Sequence, residues 1–200
     1  MSLIIDINYK GQRDYLHATD FYENLSELIE KLHHGKDFYL HTFTIKKFIK
    51  SLCEITFDEP NKDKVVATCK FKDNSQNKVI NGWIKETGRN IIGRKEYKED
   101  IINNKCIINK ELNSIKIKKD FNYSIIENIV ALAKILSYEN FKISEGKWVF
   151  SRIIVFKKIY IDYNNLALEF KKSLAKKYII FDIYIDKSYY GEIHFVVGNP

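Results

Sequence analysis

The stretch Phe21-Tyr22-Glu23-Asn24-Leu25-Ser26-Glu27-Leu28 finds a second version in Ile125-Ile126-Glu127-Asn128-Ile129-Val130-Ala131-Leu132, 104 positions later. In both, a Glu-Asn pair sits inside an apolar pattern of the same phase. Further along, Ile45-Lys46-Lys47-Phe48-Ile49 answers Phe156-Lys157-Lys158-Ile159-Tyr160 at an offset of 111, and Phe57 answers Phe170 at 113. The offset drifts where loops would lie. A period near 100 residues is the size of a domain, not of a solenoid repeat. The chain therefore reads as two copies of one small α+β unit packed as an internal pseudo-dimer.

The first copy opens with a strand over residues 3–9, followed by a helix from about Thr19 to Leu32. Phe21, Tyr22, Leu25, Leu28, Ile29 and Leu32 fall on one helical stripe, Thr19 or Asp20 can cap the helix, and Gly35 can stop it. Strands are predicted over 38–49, 52–58, 64–72 and 78–85, the third with Val65, Ala67, Cys69 and Phe71 alternating to one face. The second copy gives a strand at 112–118, a helix near 123–136, and strands near 148–161, 166–171, 178–186 and 190–197. The arms around Asn81-Gly82 are too short for a hairpin, so the turn is placed at 73–77. Gly82 and Gly191 then read as bulge or close-approach glycines within strands. This divides the chain into an N-terminal unit over 1–88, a connecting segment over 89–111 and a C-terminal unit over 112–200. The repeat predicts that Leu25, Leu28 and Leu32 match Ile129, Leu132 and Leu136 in the core.

With 45% hydrophobic residues, 13 Phe and 13 Tyr among 200 positions, the chain can build a sizeable core. The net charge is +7, yet only four of the 33 cationic residues are arginine, the side chain on which bidentate phosphate and guanine reading depends. Scattered lysines argue against a nucleic-acid groove and for mild attraction to anionic partners. Three cysteines, Cys53, Cys69 and Cys106, lack metal-ligand or redox spacing and read as structural thiols. No apolar run approaches the length of a membrane span. A cytoplasmic protein is expected.

A strand, one long apolar helix and four or more antiparallel strands able to wrap it form the layout of a hotdog fold. The chain also resembles hotdog proteins at Leu52-Cys53-Glu54-Ile55-Thr56-Phe57 and Leu166-Ala167-Leu168-Glu169-Phe170. Each segment is followed by a polar turn, Asp58-Glu59-Pro60-Asn61-Lys62-Asp63 and Lys171-Lys172-Ser173-Leu174-Ala175-Lys176, and then another strand. The second copy lacks the proline. The alternative fold is a tandem cystatin-like or nuclear-transport-factor-like unit, and the strand ahead of each helix favours hotdog. Resemblance to double hotdog proteins implies an acyl-CoA or acyl-carrier-protein thioester as partner, with a homo-oligomer possible. It also implies catalytic groups at helix starts, where free backbone N–H groups can polarise a thioester carbonyl.

The segment to inspect is therefore Arg13-Asp14-Tyr15-Leu16-His17-Ala18-Thr19-Asp20-Phe21-Tyr22-Glu23. It resembles the Asp, Gly-His, Asn, Tyr stretch of thioesterase-type hotdogs, without the glycine and with the spacing off by about one residue on each side of His17. His17 reads as a general acid or base, or else as a histidine that caps the loop. Hotdog dehydratases pair a histidine before one helix with an acid on the helix of the other unit. Glu127, with Val130 and Ala131 toward the next helical turn, is the acid implied here, and Asp20 is the third candidate catalytic residue. The His-Phe-Pro and Pro-Gly flanks of those enzymes are missing. His33, His34, His41 and His194 read as structural. No Gly-rich phosphate loop, H-E-x-x-H, G-x-S-x-G or EF-hand spacing occurs, so chemistry without cofactor or metal, or no chemistry at all, is expected. The resulting expectation is a dehydratase, hydratase or thioesterase. A non-catalytic acyl or small-lipid binding module and a tandem cystatin-like interaction protein are the alternatives.

Overall fold

Residues 2–34, 36–75, 78–97, 102, 104–119, 122–160 and 162–199 are described by the structure, a computed structural model. The chain divides into two compact units, Met1–Tyr97 and Lys98–Pro200, with the division inside the segment read as connecting. Among the described residues, no helix is long and apolar enough to cross a membrane.

The first unit runs β1 (Ser2–Ile5), β2 (Tyr9–Lys10), α1 (Ala18–Leu32), β3 (Phe38–Ile45), β4 (Cys53–Thr56), a 3-10 turn (Lys62–Lys64), β5 (Val65–Asp73), β6 (Val79–Glu86) and β7 (Arg94–Lys95). Antiparallel pairing gives the order β1-β4-β6-β5-β3. β2 and β7 form a separate parallel pair, with Lys10 opposite Lys95. The helix lays Phe21, Leu25 and Ile29, all fully buried, into the core, and the Phe21 ring lies 5.9 Å from that of Phe43. The stripe ends sooner than its periodicity suggests, because Leu28 is half-buried and Leu32 is 41% exposed. Gly82 is a close-approach glycine, since a Cβ there would lie 2.5 Å from Cys69 Sγ and 2.9 Å from Ile55 Cδ1. Gly35, read as the helix stop, lies outside the described residues, as do Gln76 and Asn77 of the turn after β5. The start of that turn is visible: the Asp73 carboxylate accepts from the Ser75 backbone and hydroxyl.

The second unit runs β8 (Ile107–Asn109), β9 (Ser114–Lys118), α2 (Ile125–Asn140), β10 (Lys147–Val155), β11 (Asn165–Leu174), β12 (Tyr178–Ile185) and β13 (Ser188–Gly198). Its antiparallel order is β8-β9-β11-β12-β13-β10. Ile129, Leu132 and Leu136 of α2 are buried, as are Ile179, Phe181 and Ile183 of β12. The helix extends about one turn beyond the predicted end, through Ser137 and Tyr138. Gly191 adopts a φ of 152°, and a Cβ there would collide with the Ile154 carbonyl.

Two details correct the picture of equivalent copies. Counting the strand before the helix as the first, the fifth strand of the first unit (β6) lies between the third and the fourth. In the second unit, the fourth (β12) lies between the third and the fifth. The connections explain the difference. A loop with a 3-10 turn separates β4 from β5 and lets them part. β11 instead turns into β12 through Ala175 and Lys176, both in the left-handed region at φ 49° and 54°, and so tight a hairpin joins only neighbours.

The second correction concerns helix register. The N-cap residues are His17 and Ser124, 107 positions apart and not 104, so Asp20 corresponds to Glu127 and Leu25 to Leu132. An apolar stripe at spacings of three and four overlaps itself when slid by three residues. Periodicity could not fix the register; the caps do.

Candidate functional site

The first turn of α1 gathers polar groups that a helix start rarely buries together. β2, held by its pairing with β7, brings Lys10 beneath that turn, where the residue is 5% exposed. Leu16 N–H donates to the Ile49 carbonyl at 2.8 Å and fixes the approach to the helix. His17 is then the N-cap, at φ −85° and ψ 137°, and its side chain makes no capping bond. Thr19 and Asp20, predicted as caps, instead lie within the first turn, and both are buried.

Lys10 Nζ stands 2.9 Å from Asp20 Oδ1 and donates to Thr19 Oγ1 at 3.1 Å. Thr19 Oγ1 is in turn 2.7 Å from His17 Nδ1. The threonine oxygen accepts from the ammonium, and Thr19 can donate to a neutral Nδ1 or accept from Nδ1–H, as the His17 tautomer requires. The Tyr97 ring closes the cluster, its centroid 5.5 Å from the His17 ring, 5.1 Å from Lys10 Nζ and 5.3 Å from the Arg13 guanidinium. Removing an ammonium and a carboxylate from water costs several kcal/mol per ion, and only close pairing with further hydrogen bonds offsets it. The helix N-terminus, whose first N–H groups lack intrahelical acceptors, adds to the field that favours the Asp20 carboxylate. Chemically, the arrangement offers an imidazole in a nearly dry setting beside a helix start, suited to proton transfer near a polarised carbonyl.

His17 and Asp20 are thus brought together at the start of α1. Glu127 occupies the corresponding third position of α2, where it closes a capping box. Its Oε2 accepts from the Ser124 N–H at 2.9 Å, while Ser124 Oγ accepts from the Glu127 N–H at 3.2 Å. Val130 and Ala131 are buried, as their apolar character suggested, and Glu127 itself is half-buried. The position in α2 that corresponds to His17 is Ser124, so the second helix start carries no histidine.

Two of the four remaining histidines, His33 and His194, are held by packing within their units. His33 is the C-cap of α1, with its backbone N–H on the Ile29 carbonyl, and its ring packs 4.6 Å from that of Phe38. His194, 5% exposed, accepts or donates at Nδ1 with the Tyr178 hydroxyl and stands 3.1 Å from Glu192 through Nε2. Burial holds its pKa below the ordinary histidine value, against the opposing pull of Glu192. Cys53 and Cys69 are buried free thiols, and burial pushes Cys53 up to about 12.

Sequence reasoning missed Lys10, Thr19 as a bridge, and Tyr97. Lys10 is one of many lysines with no distinguishing spacing, and only the β2–β7 pairing buries it. One signal was available: a His-Ala-Thr-Asp run at a helix start leaves a poor capping residue beside two good ones, which is unexpected unless the good ones are used elsewhere.

No protein-family model matches the chain, and no curated protein does. Solved structures do. The tesB protein of Mycobacterium avium subs paratuberculosis is similar over 98% of this chain and 93% of its own, at 5% identity and a TM-score of 0.55. A pyran synthase domain from module nine of the sorangicin pathway matches 98% of this chain with 92% of its own, at 6% identity and a TM-score of 0.53. A monomeric dehydratase domain from a trans AT polyketide synthase split module matches 98% with 97%, at 8% identity and a TM-score of 0.51. At such identities the likeness is one of fold alone, and that fold, a large antiparallel sheet with few helices, is hotdog-like.

Proposed function

We propose that this protein acts on acyl thioesters of CoA or of an acyl carrier protein, as a dehydratase, hydratase or thioesterase built as a double hotdog. The observation that carries the reading is His17, buried at the start of α1 and hydrogen-bonded to Thr19 within the Lys10–Asp20 pair. The fold shared with a dehydratase domain and a tesB protein supports the substrate class. In this reading the first N–H groups of α1 polarise the thioester carbonyl, and His17 moves the proton at the reacting carbon or water. Lys10 holds Thr19 and Asp20, and through Thr19 the orientation of the ring. Asp20 and Glu127 are the two acids proposed to complete the acid–base chemistry.

The test is turnover of 3-hydroxyacyl-CoA and saturated acyl-CoA substrates by the purified protein. His17→Gln should lower it by ~10²–10⁴-fold, the range for a lost general acid or base, with the circular dichroism spectrum preserved. If His17 and Glu127 act as one unit, the double variant with Glu127→Gln falls no further than the worse single one. Undiminished turnover in His17→Gln would remove the residue from the chemistry.

A second reading, a non-catalytic acyl or small-lipid binding module, has its own support. Asp20 is engaged by Lys10 and Glu127 by the α2 cap, so both carboxylates have structural work. It predicts a co-purified acyl-pantetheine or fatty acid in native mass spectra and no turnover of any thioester.

A further inference from the structure

A cleft of about 390 Å³ lies in the second unit, where β9 leaves the sheet toward α2. Four lysines line it, Lys105, Lys116, Lys118 and Lys119, together with Asn165. Lys116 and Lys118 alternate with the buried Ile115 and Ile117 and so share the outward face of β9. Residues two apart in a strand stand about 7 Å apart. The register places Asn165 opposite Lys118 and Ile107 opposite Lys116, which brings the neighbouring strands to the same face. Lys119 is the most buried of the four, its side chain 19% exposed; it pairs with Asp162 at 3.2 Å and lies 5.7 Å from the Tyr163 ring centroid. Lys116 and Lys118 have no carboxylate partner among the described residues.

Ammonium groups crowded around a cavity repel one another and are stabilised by an anion that bridges them. Lysine is an effective phosphate binder as a point charge, and a cavity of this size suits a small molecule. We infer that this cleft is a binding site for a diphosphate-bearing small molecule, with Lys116 and Lys118 as the principal contacts and Lys105, Lys119 and Asn165 at its border. Two linked phosphoryl groups present anionic oxygens over a span that the two β9 ammonium groups can bracket. A diphosphate also gives each ammonium its own phosphoryl group, whereas a single phosphate must share its charge between the two.

The inference is independent of the thioester reading, because its first probe, inorganic diphosphate, carries no acyl group. Titration of the full chain at constant ionic strength, followed by calorimetry and by the amide resonances of β9, should show saturable binding tighter than that of monophosphate. The Lys116→Gln/Lys118→Gln variant should weaken it at least tenfold, and Lys62→Gln/Lys64→Gln, the same charge change in the 3-10 turn of the first unit, should leave it unchanged. Equal losses in the two double variants, or no preference for diphosphate over monophosphate, would reduce the effect to net charge and overturn the site. CoA and ADP share the diphosphate and separate its sources. Displacement of the probe at lower concentration by CoA indicates a pantetheine-bearing ligand, and at lower concentration by ADP a nucleotide.

Discussion

The starts of α1 and α2 occupy the same place in their units and are built on opposite principles. At α2, Ser124 and Glu127 satisfy each other's backbone N–H groups in a complete capping box. At α1 the N-cap is a histidine without a capping bond, and the acid at the matching third position, Asp20, turns to a buried lysine. One end follows local helix chemistry; the other sets it aside and buries an ion pair, at a cost in desolvation. Departures of this kind concentrate at functional sites, and for that reason the proposed proton transfer is centred on His17 at the start of α1.

The largest expected effect comes from breaking the ion pair. Lys10→Met leaves the Asp20 charge buried and should cost about 3–5 kcal/mol in urea unfolding, whereas Lys10→Met/Asp20→Asn, which removes both charges, should recover most of the loss. A mild single variant would mean that the pair is hydrated and that the two helix starts differ less than their geometry indicates. Next come the helix faces. Leu132→Ala should cost about 2–5 kcal/mol as a fully buried truncation, while Leu32→Ala, at the exposed end of α1, should stay within about 0.5 kcal/mol.

The capping box sharpens the contrast at lower energy. Ser124→Ala should cost about 0.5–2 kcal/mol. Glu127→Gln keeps an acceptor suited to the box and should leave the unfolding midpoint nearly unchanged, so that any loss of turnover in that variant is chemical and not structural. The smallest effect concerns pH. Burial lowers the His194 pKa, with Tyr178 hydrogen-bonded to the ring and Glu192, Arg152 and Lys171 acting on it. Its folded pKa lies below the unfolded value of about 6.5, so between those two values the unfolded chain binds more protons. Stability from this group is complete above about pH 6.5 and declines as pH falls through the folded value. His194→Gln should flatten that decline in urea midpoints measured downward from pH 7.

Much of this was legible in the residues. Alternation in β5 and the stripe on α1 gave the element types, because side-chain period follows backbone geometry directly. His17 and Asp20 stood out because they flank a helix start. The apolar face beside Glu127 is legible in Val130 and Ala131, and its cap is legible too, because Ser124 three positions earlier completes a capping-box pattern. The offset of 104 matched apolar phase and not helix ends.

The sequence by itself determined the order of the main elements, two units of a strand, a long helix and antiparallel strands, because hydrophobic period and turn residues act over a few positions. The break of residues 3–9 into β1 and β2 and the short β7 and β8 within 89–111 were not legible in it. Only the tertiary structure decided which strands are neighbours, where the Ala175-Lys176 hairpin forces an adjacency that the loop between β4 and β5 does not. It also decided that Lys10, and not one of the other lysines, lies buried against Asp20. Strand order and charge burial depend on contacts between segments distant in the chain, and no local periodicity encodes them.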